Sequence, residues 1–152
     1  MKQLATYPRD VLFELVLAEE TRLEFLGSDG KFHIVKTRSP RYKVFHKSST
    51  CAVCGLKGTK MILEQPEHQS GSNNAHFNLY GIDEENNLIL FTKDHILPSS
   101  LGGPNSIENY QTLCSKCNEF KENRQISNES LLAEIQAKKA ANLAPNDQRV
   151  KE

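Results

Sequence analysis

The fold is decided by residues 92–124, whose sequence is TKDHILPSSLGGPNSIENYQTLCSKCNEFKENR. A β-prone run over 88–92 enters this segment, and residues 110–113 are predicted to form a second short strand. The glycine- and proline-rich stretch SSLGGPNS between them is predicted to be a loop. Ser115 is predicted to cap a helix that ends at about Arg124. The segment therefore predicts strand, loop, strand and helix.

Two Cys-x-x-Cys pairs contain every cysteine of the chain: Cys51, Cys54, Cys114 and Cys117. Thiolates three positions apart can bind one metal from a tight turn, and Gly55 relieves backbone crowding after the first pair. Two such pairs supply the four ligands of a structural zinc site. The 59 residues between them do not exclude a shared site, because loop-closure cost grows only logarithmically. The alternatives are unrelated free cysteines or a redox pair.

The charges cancel over the whole chain, with 19 Lys and Arg against 19 Asp and Glu, so net charge gives no argument for nucleic-acid binding. The local distribution differs, because residues 31–47 contain Lys and Arg but no acid, interleaved with aromatic side chains. Such a basic face can contact phosphate at short range. The alternative is the solvated face of a hairpin.

No secretory signal or membrane-spanning run is visible, since the first apolar run, 11–18, is short and interrupted by Glu14. We therefore expect a cytoplasmic protein without a membrane partner. In that reducing compartment, the cysteines are better interpreted as metal ligands than as disulfides.

Three regions are predicted along the chain. Residues 1–47 form an N-terminal accessory region with a helix over 9–20, a hairpin of 21–26 and 31–38, and a third strand over 41–46. Residues 48–127 form the core, with a surface loop over 65–75. Residues 128–152 form a C-terminal helix, capped by Asn128 with Leu131, Leu132 and Ile135 on one side, and a disordered tail from Ala144 on.

His95 on its own could be a packed surface histidine, and the motif described below makes it the candidate catalytic residue of the core. A histidine with a pKa of about 6.5 can accept a proton near neutral pH. Hydrolysis of a phosphodiester needs such a base for water, together with a cation that takes up the developing charge. Asp94 and His95 are adjacent at a strand end, so their side chains are expected to point to opposite sides.

The segment resembles the HNH endonuclease motif, which runs roughly Asp-His-Ile-x-Pro, Gly-Gly, Asn, and Cys-x-x-Cys-Asn-x-x-Lys. The elements occur here in that order, as Asp94, His95, Ile96, Pro98, Gly102, Gly103, Asn109, Cys114, Cys117, Asn118 and Lys121. The resemblance covers residues 51–124. Residues 76–82 are also similar to what precedes the motif in stand-alone HNH proteins encoded by phages and bacteria, which would place the protein in a host cytoplasm if a phage encodes it.

The resemblance implies an α+β fold with a small, treble-clef-like ββα-metal core around a four-cysteine zinc. Two antiparallel strands would carry His95 and Asn109, and a helix would carry Asn118. It implies that His95 is the general base and that Asn109 braces the loop and orients the His95 ring through a hydrogen bond. Asp94 and Asn118 would hold the catalytic divalent ion.

Asn118 stands where the family often has histidine, and this neutral oxygen ligand favours magnesium or manganese. Lys121, one turn further along the predicted helix, is expected to contact a phosphate oxygen. Arg41 and Lys43, in the basic region, are further candidates for substrate contact. Because the insert between Cys54 and Asp94 is long, the sequence leaves undecided how the substrate is placed at the site.

The implied function is DNA hydrolysis to 5′-phosphate and 3′-hydroxyl ends, by nicking or by double-strand cleavage after dimerisation. DNA is thus the expected partner, and the sequence leaves undecided whether the protein forms a homodimer. One alternative is a catalytically inactive zinc-dependent module that binds nucleic acid. Another is a module on the same scaffold that binds a host protein.

Overall fold

The structure is a computed structural model that describes residues 1–67 and 75–143 in full and residues 144–151 as backbone. The strands are β1 Lys2–Pro8, β2 Arg22–Leu26, β3 Phe32–Lys36, β4 Lys60–Gln65, β5 His76–Ile82, β6 Leu88–His95 and β7 Tyr110–Cys114. The helices are α1 Val11–Leu17, α2 Pro40–Lys47, α3 Ser115–Lys121 and α4 Asn128–Lys151. This mixture confirms the α+β class.

An antiparallel sheet with the order β1-β4-β5-β6-β7 forms the centre of the protein. Its buried face is lined by apolar cross-strand pairs, Met61 opposite Leu79 and Leu63 opposite Phe77, all fully buried. Strand β1, from the predicted accessory region, pairs with β4 and is part of the same sheet. No strand was predicted for the residues of β1.

The predicted helix and hairpin of the N-terminal region are confirmed as α1 and the β2–β3 pair. The turn of the hairpin contains Gly30 at a φ of 78°, a conformation that glycine adopts without strain. Helix α1 buries Val11, Leu12 and Leu15, the face that the helical spacing of its apolar residues predicted.

The predicted third strand over 41–46 is wrong, because this segment is helix α2. Pro40 occupies the first turn, where its fixed φ suits a helix and its missing N–H costs nothing. Tyr42 and Phe45 are three positions apart, lie on one side of the helix and are buried. The alternation of polar and apolar residues in RYKVFH is typical of a strand, whereas the spacing of Tyr42 and Phe45 is helical.

Helix α2 completes the hydrogen bonding of β5. The ladder between β5 and β6 covers only Tyr80 to Ile82. Before that ladder begins, the backbone N–H of Phe77 donates to the Tyr42 hydroxyl at 3.0 Å, and Arg41 donates to the Phe77 carbonyl at 2.6 Å. Two side chains of α2 therefore make the bonds that a neighbouring strand would make.

The strand–loop–strand–helix prediction for the core is confirmed as β6, β7 and α3. The cap of α3 is Cys114 rather than Ser115, because the Cys114 sulfur accepts from the Cys117 N–H. The Ser127 hydroxyl accepts from the Ser130 N–H at the start of α4, whereas Asn128 pairs with Gln111.

Helix α4 buries Leu131, which packs in the core together with the partly buried Leu132 and Ile135. A disordered tail was predicted from Ala144 on; the backbone is helical to Lys151, and the side chains of 144–152 lie outside the described part. Most of the predicted loop 65–75 also lies outside it, while Gln65 and Ala75 are buried. Among the helices of the described residues, none combines the length and apolar composition needed to cross a bilayer.

Candidate active site and metal centre

Four cysteine sulfurs converge at one point of the core. The sulfurs of Cys51, Cys54, Cys114 and Cys117 all lie within 4.8 Å of one another. A tetrahedral zinc ion with Zn–S bonds of about 2.3 Å holds its sulfurs about 3.8 Å apart. The sulfurs of Cys54 and Cys114 are 3.8 Å apart. The cluster could therefore hold a metal ion such as zinc.

The first cysteine pair lies in a tight turn that is fixed to β7. The Cys51 N–H donates to the Leu56 carbonyl, and the Gly55 N–H donates back to the Cys51 carbonyl. Gly55 has a φ of 81°, a conformation that glycine adopts without strain. This agrees with the prediction that Gly55 relieves backbone crowding after the first cysteine pair. The Ala52 N–H donates to the Thr112 carbonyl at 2.9 Å. This bond holds the turn against the strand that ends in the second pair.

The sulfurs also influence one another's ionisation. Hydrogen bonds with the Cys114 and Cys117 thiols lower the pKa of Cys51. Contacts with the sulfurs of Cys114 and Cys51, together with burial, raise the pKa of Cys117. A single thiolate is favoured, and each further one is opposed by its neighbours unless a cation lies among them. The donor set therefore fits a divalent metal that binds thiolates.

His95 is the last residue of β6 and is partly exposed. Its Nε2 lies 2.8 Å from Oδ1 of Asn105, in the loop before β7. The amide oxygen can accept from a protonated Nε2, and in that tautomer Nδ1 keeps its lone pair. The Tyr110 ring meets the His95 ring edge-on at 5.0 Å. Two side chains thus contact the imidazole ring, and no hydrogen bond within the described residues engages its Nδ1.

Asn109 is buried and braces the loop after β6, as the resemblance implied, but it lies in a short turn just before β7 and not on a strand, because its side chain bonds to the loop. Its Oδ1 accepts from the Leu97 N–H at 2.9 Å, and its Nδ2 donates to the carbonyls of Leu97 and Pro104. The predicted hydrogen bond to the His95 ring is not made by Asn109; Asn105 makes it. Sequence reasoning missed Asn105, since the only signal was a polar residue after Pro104 in a loop.

Lys121 and Asp94 form a buried ion pair between α3 and β6. Lys121 Nζ donates to Asp94 Oδ2 at 2.6 Å and to the His95 carbonyl at 2.7 Å. The Lys121 side chain is only 1% exposed. The sequence predicted a phosphate contact for it, but the ammonium is turned inward because it satisfies a buried carboxylate and a strand-end carbonyl.

Asp94 and Asn118 both face the space between β6 and α3. Asp94 Oδ2 also accepts from Gln111 Nε2 at 3.0 Å, and Asn118 Nδ2 donates to Thr92 Oγ1 at 3.1 Å. No hydrogen bond within the described residues engages Oδ1 of either side chain. A carboxylate and an amide oxygen are ligand types that magnesium and manganese accept. The pair fits such an ion by its chemistry.

The two candidates for substrate contact on α2 differ. Arg41 donates to the Phe77 carbonyl and to Asn78 Oδ1, and burial lowers the pKa of its guanidinium. It is therefore a structural residue here rather than a free cation, because β5 needs the hydrogen bonds it gives. Lys43 is exposed and stays a candidate.

A cleft of about 620 Å³ lies beside the cysteine cluster, between the first cysteine turn, residues 83–85 and α4. Its walls include Cys54, Lys116 and Ile135 but neither His95 nor Asp94. This cleft is thus separate from the proposed chemistry.

Comparison with known protein families matches one segment of the chain. Residues 83–129 match the family described as HNH endonuclease. This range contains β6, β7 and α3, together with the second cysteine pair. No curated protein and no solved structure matches the chain. The segment that carries His95, Asn109 and Asn118 is therefore similar to the HNH endonuclease family.

Proposed function

We propose that this protein is a metal-dependent endonuclease that hydrolyses phosphodiester bonds in DNA. The observation that carries the proposal is the His95 ring, whose Nε2 lies 2.8 Å from Asn105 Oδ1 and which meets the Tyr110 ring in a T-shaped contact. The match of residues 83–129 to the HNH endonuclease family supports a nuclease at the family level.

His95 acts as the general base. Its Nδ1 takes a proton from a water molecule while the water oxygen bonds to phosphorus and the bond to the 3′ oxygen breaks. The departing oxygen takes a proton from solvent, which leaves 5′-phosphate and 3′-hydroxyl ends. Asn105 keeps the ring in the tautomer that this step needs and stabilises the imidazolium that forms.

Asp94 and Asn118 are the residues that would hold magnesium or manganese. When bound, such an ion supplies positive charge to the phosphate oxygens and to the leaving oxygen. Lys121 holds Asp94 and the His95 carbonyl at once, so it fixes the two catalytic side chains relative to each other. Lys121 is a positioning residue in this proposal.

The four cysteines would hold a structural zinc ion. A site with four protein ligands leaves no open coordination position, so the zinc folds the core and takes no part in hydrolysis. Its effect on the active site is indirect, because Cys114 and Cys117 fix the start of the helix that carries Asn118.

The test is cleavage of supercoiled plasmid DNA by the zinc-loaded protein with magnesium or manganese. We expect nicked or linear product from the wild type and from His46→Ala, which alters an exposed histidine on α2. His95→Ala should lower the rate by about 10²–10⁴-fold, the usual contribution of a general base. Cutting that survives His95→Ala would refute the role of His95.

A wild type that cuts neither DNA nor RNA with any of several divalent ions would overturn the proposal. Salt-dependent DNA binding without cutting would then favour the inactive nucleic-acid-binding module. The absence of binding even at low salt would favour the module that binds a host protein.

A further inference from the structure

Lys93, Tyr110 and His95 lie together on one side of the β6–β7 ladder. Lys93 is opposite Thr112 and His95 is opposite Tyr110. Lys93 Nζ lies 4.2 Å from the centroid of the Tyr110 ring, and the same ring meets the His95 ring at 5.0 Å. Alternate residues of a strand share a face, so Asp94 points to the other side. The cation, the phenol ring and the proposed base therefore form one row.

Two of the cations that the sequence analysis proposed for substrate contact are engaged within the protein. Lys121 is paired with Asp94, and Arg41 is bound to β5. Lys93 is partly exposed and has no ion pair within the described residues. An ammonium above an aromatic face is attracted by the ring quadrupole. That contact leaves its N–H donors available to another acceptor.

We propose that Lys93 holds a phosphate of the bound nucleic acid beside His95, with the Tyr110 ring as the support that keeps the ammonium in place. This inference rests on the proposed function. The two residues are two positions apart on a strand, or about 6.8 Å along it. The ammonium therefore reaches the scissile phosphate or one next to it.

The end of α2 extends this cationic surface. Thr112, the register partner of Lys93, donates through its hydroxyl to the Ser48 carbonyl at 2.6 Å. Helix α2 therefore ends on the side of β7 that Lys93 occupies. Lys43 and Lys47 are exposed and one turn apart on that helix. They give the rest of a phosphate backbone a basic surface to follow.

The test compares Lys93→Met, which keeps an apolar chain on the ring but removes the charge, with Lys93→Arg, which keeps both. Lys60→Met is the matched control, because Lys60 is exposed on β4 and belongs to no proposed site. Binding of a short DNA duplex is measured over a range of salt in the His95→Ala background, so that no cleavage interferes. Thermal unfolding of each zinc-loaded variant reports on folding.

We expect Lys93→Met to reduce the slope of log K against log salt by about 1, the effect of losing one phosphate contact. Lys93→Arg should restore the slope, and Lys60→Met should leave it unchanged. In the cleaving protein, Lys93→Met should raise KM more than it lowers kcat. If Lys93→Met folds, still cuts, and shows an unchanged slope and KM, this inference alone is overturned. If the wild type does not cut, the proposed function is overturned.

Discussion

Lys121 Nζ lies 2.6 Å from Asp94 Oδ2, and the two side chains are only 1% and 9% exposed. The pair connects the last turn of α3 to the end of β6, where His95 follows. Because Lys121 also donates to the His95 carbonyl, one ammonium fixes the helix, the carboxylate and the strand end together.

The first prediction concerns this ion pair. Lys121→Met should lower the free energy of unfolding by about 3–5 kcal/mol, because it leaves the buried Asp94 carboxylate unpaired. The double variant Asp94→Asn/Lys121→Met should recover part of that loss, since it removes the buried charge as well. Urea unfolding in the presence of zinc measures both. Equal loss in the single and double variants would contradict the prediction.

The second prediction concerns the metal. The purified protein should contain about one zinc ion per chain. A strong chelator should unfold the core, because structural zinc contributes about 10–16 kcal/mol of apparent binding free energy in small zinc domains. Circular dichroism follows the loss of structure, and added zinc should reverse it.

Cys54→Ser is the matching variant for the metal prediction, since the Cys54 side chain is exposed and its replacement disturbs packing least. It should bind zinc more weakly, whereas Ser115→Ala, in the second cysteine pair but not a ligand, should bind it normally. A chelator that removes no metal and leaves the spectrum unchanged would refute the zinc site.

The third prediction concerns Asn105. Asn105→Ala removes the acceptor at Nε2 of His95, so the ring loses its fixed tautomer, and kcat should fall by about 10–100-fold, as for other groups that orient a catalytic ligand. Asn105→Asp keeps an acceptor oxygen and should retain most of the activity. The exposed Asn123→Ala serves as the control.

Nitrogen chemical shifts of the His95 ring measure the same effect without cleavage. The neutral wild-type ring should carry its proton on Nε2, and Asn105→Ala should populate both tautomers. If Asn105→Ala has the same kinetics and the same nitrogen chemical shifts as the wild type, the contact between Asn105 and His95 is incidental.

The fourth prediction concerns the side chains that complete β5. Tyr42→Phe leaves the buried N–H of Phe77 without its acceptor, which should cost about 1–3 kcal/mol of stability. Tyr7→Phe also removes a hydroxyl, but that hydroxyl donates to the Leu26 carbonyl in an exposed bond that water can replace. Thermal unfolding should therefore separate the two variants, and equal losses would argue against the completion of β5 by α2.

Local pattern was sufficient to predict much of the fold. The hairpin follows from its turn residues, α1 from its helical spacing, and β6, β7 and α3 from a motif whose parts are close in sequence. The convergence of the cysteines was also predictable, because four thiols in two tight turns have one arrangement that satisfies a tetrahedral metal.

The features that were missed depend on distant partners. The segment 41–46 carries an alternation that suits a strand, and only the position of β5 shows why it forms a helix there. Lys121 has the sequence surroundings of an exposed helix lysine, yet it is buried because Asp94, 27 residues earlier, needs a counter-charge. Asn105 acquires its partner only when the loop folds back over the strand end.

Strand β1 and helix α2 have a practical consequence for engineering. The family segment 83–129 carries only Cys114 and Cys117 of the cysteine cluster, and the strand that precedes β6 in the sheet depends on Tyr42 and Arg41. A graft of the 47-residue motif into another scaffold would lack two of the four clustered cysteines and one edge of the sheet. The smallest portable unit begins at the first strand.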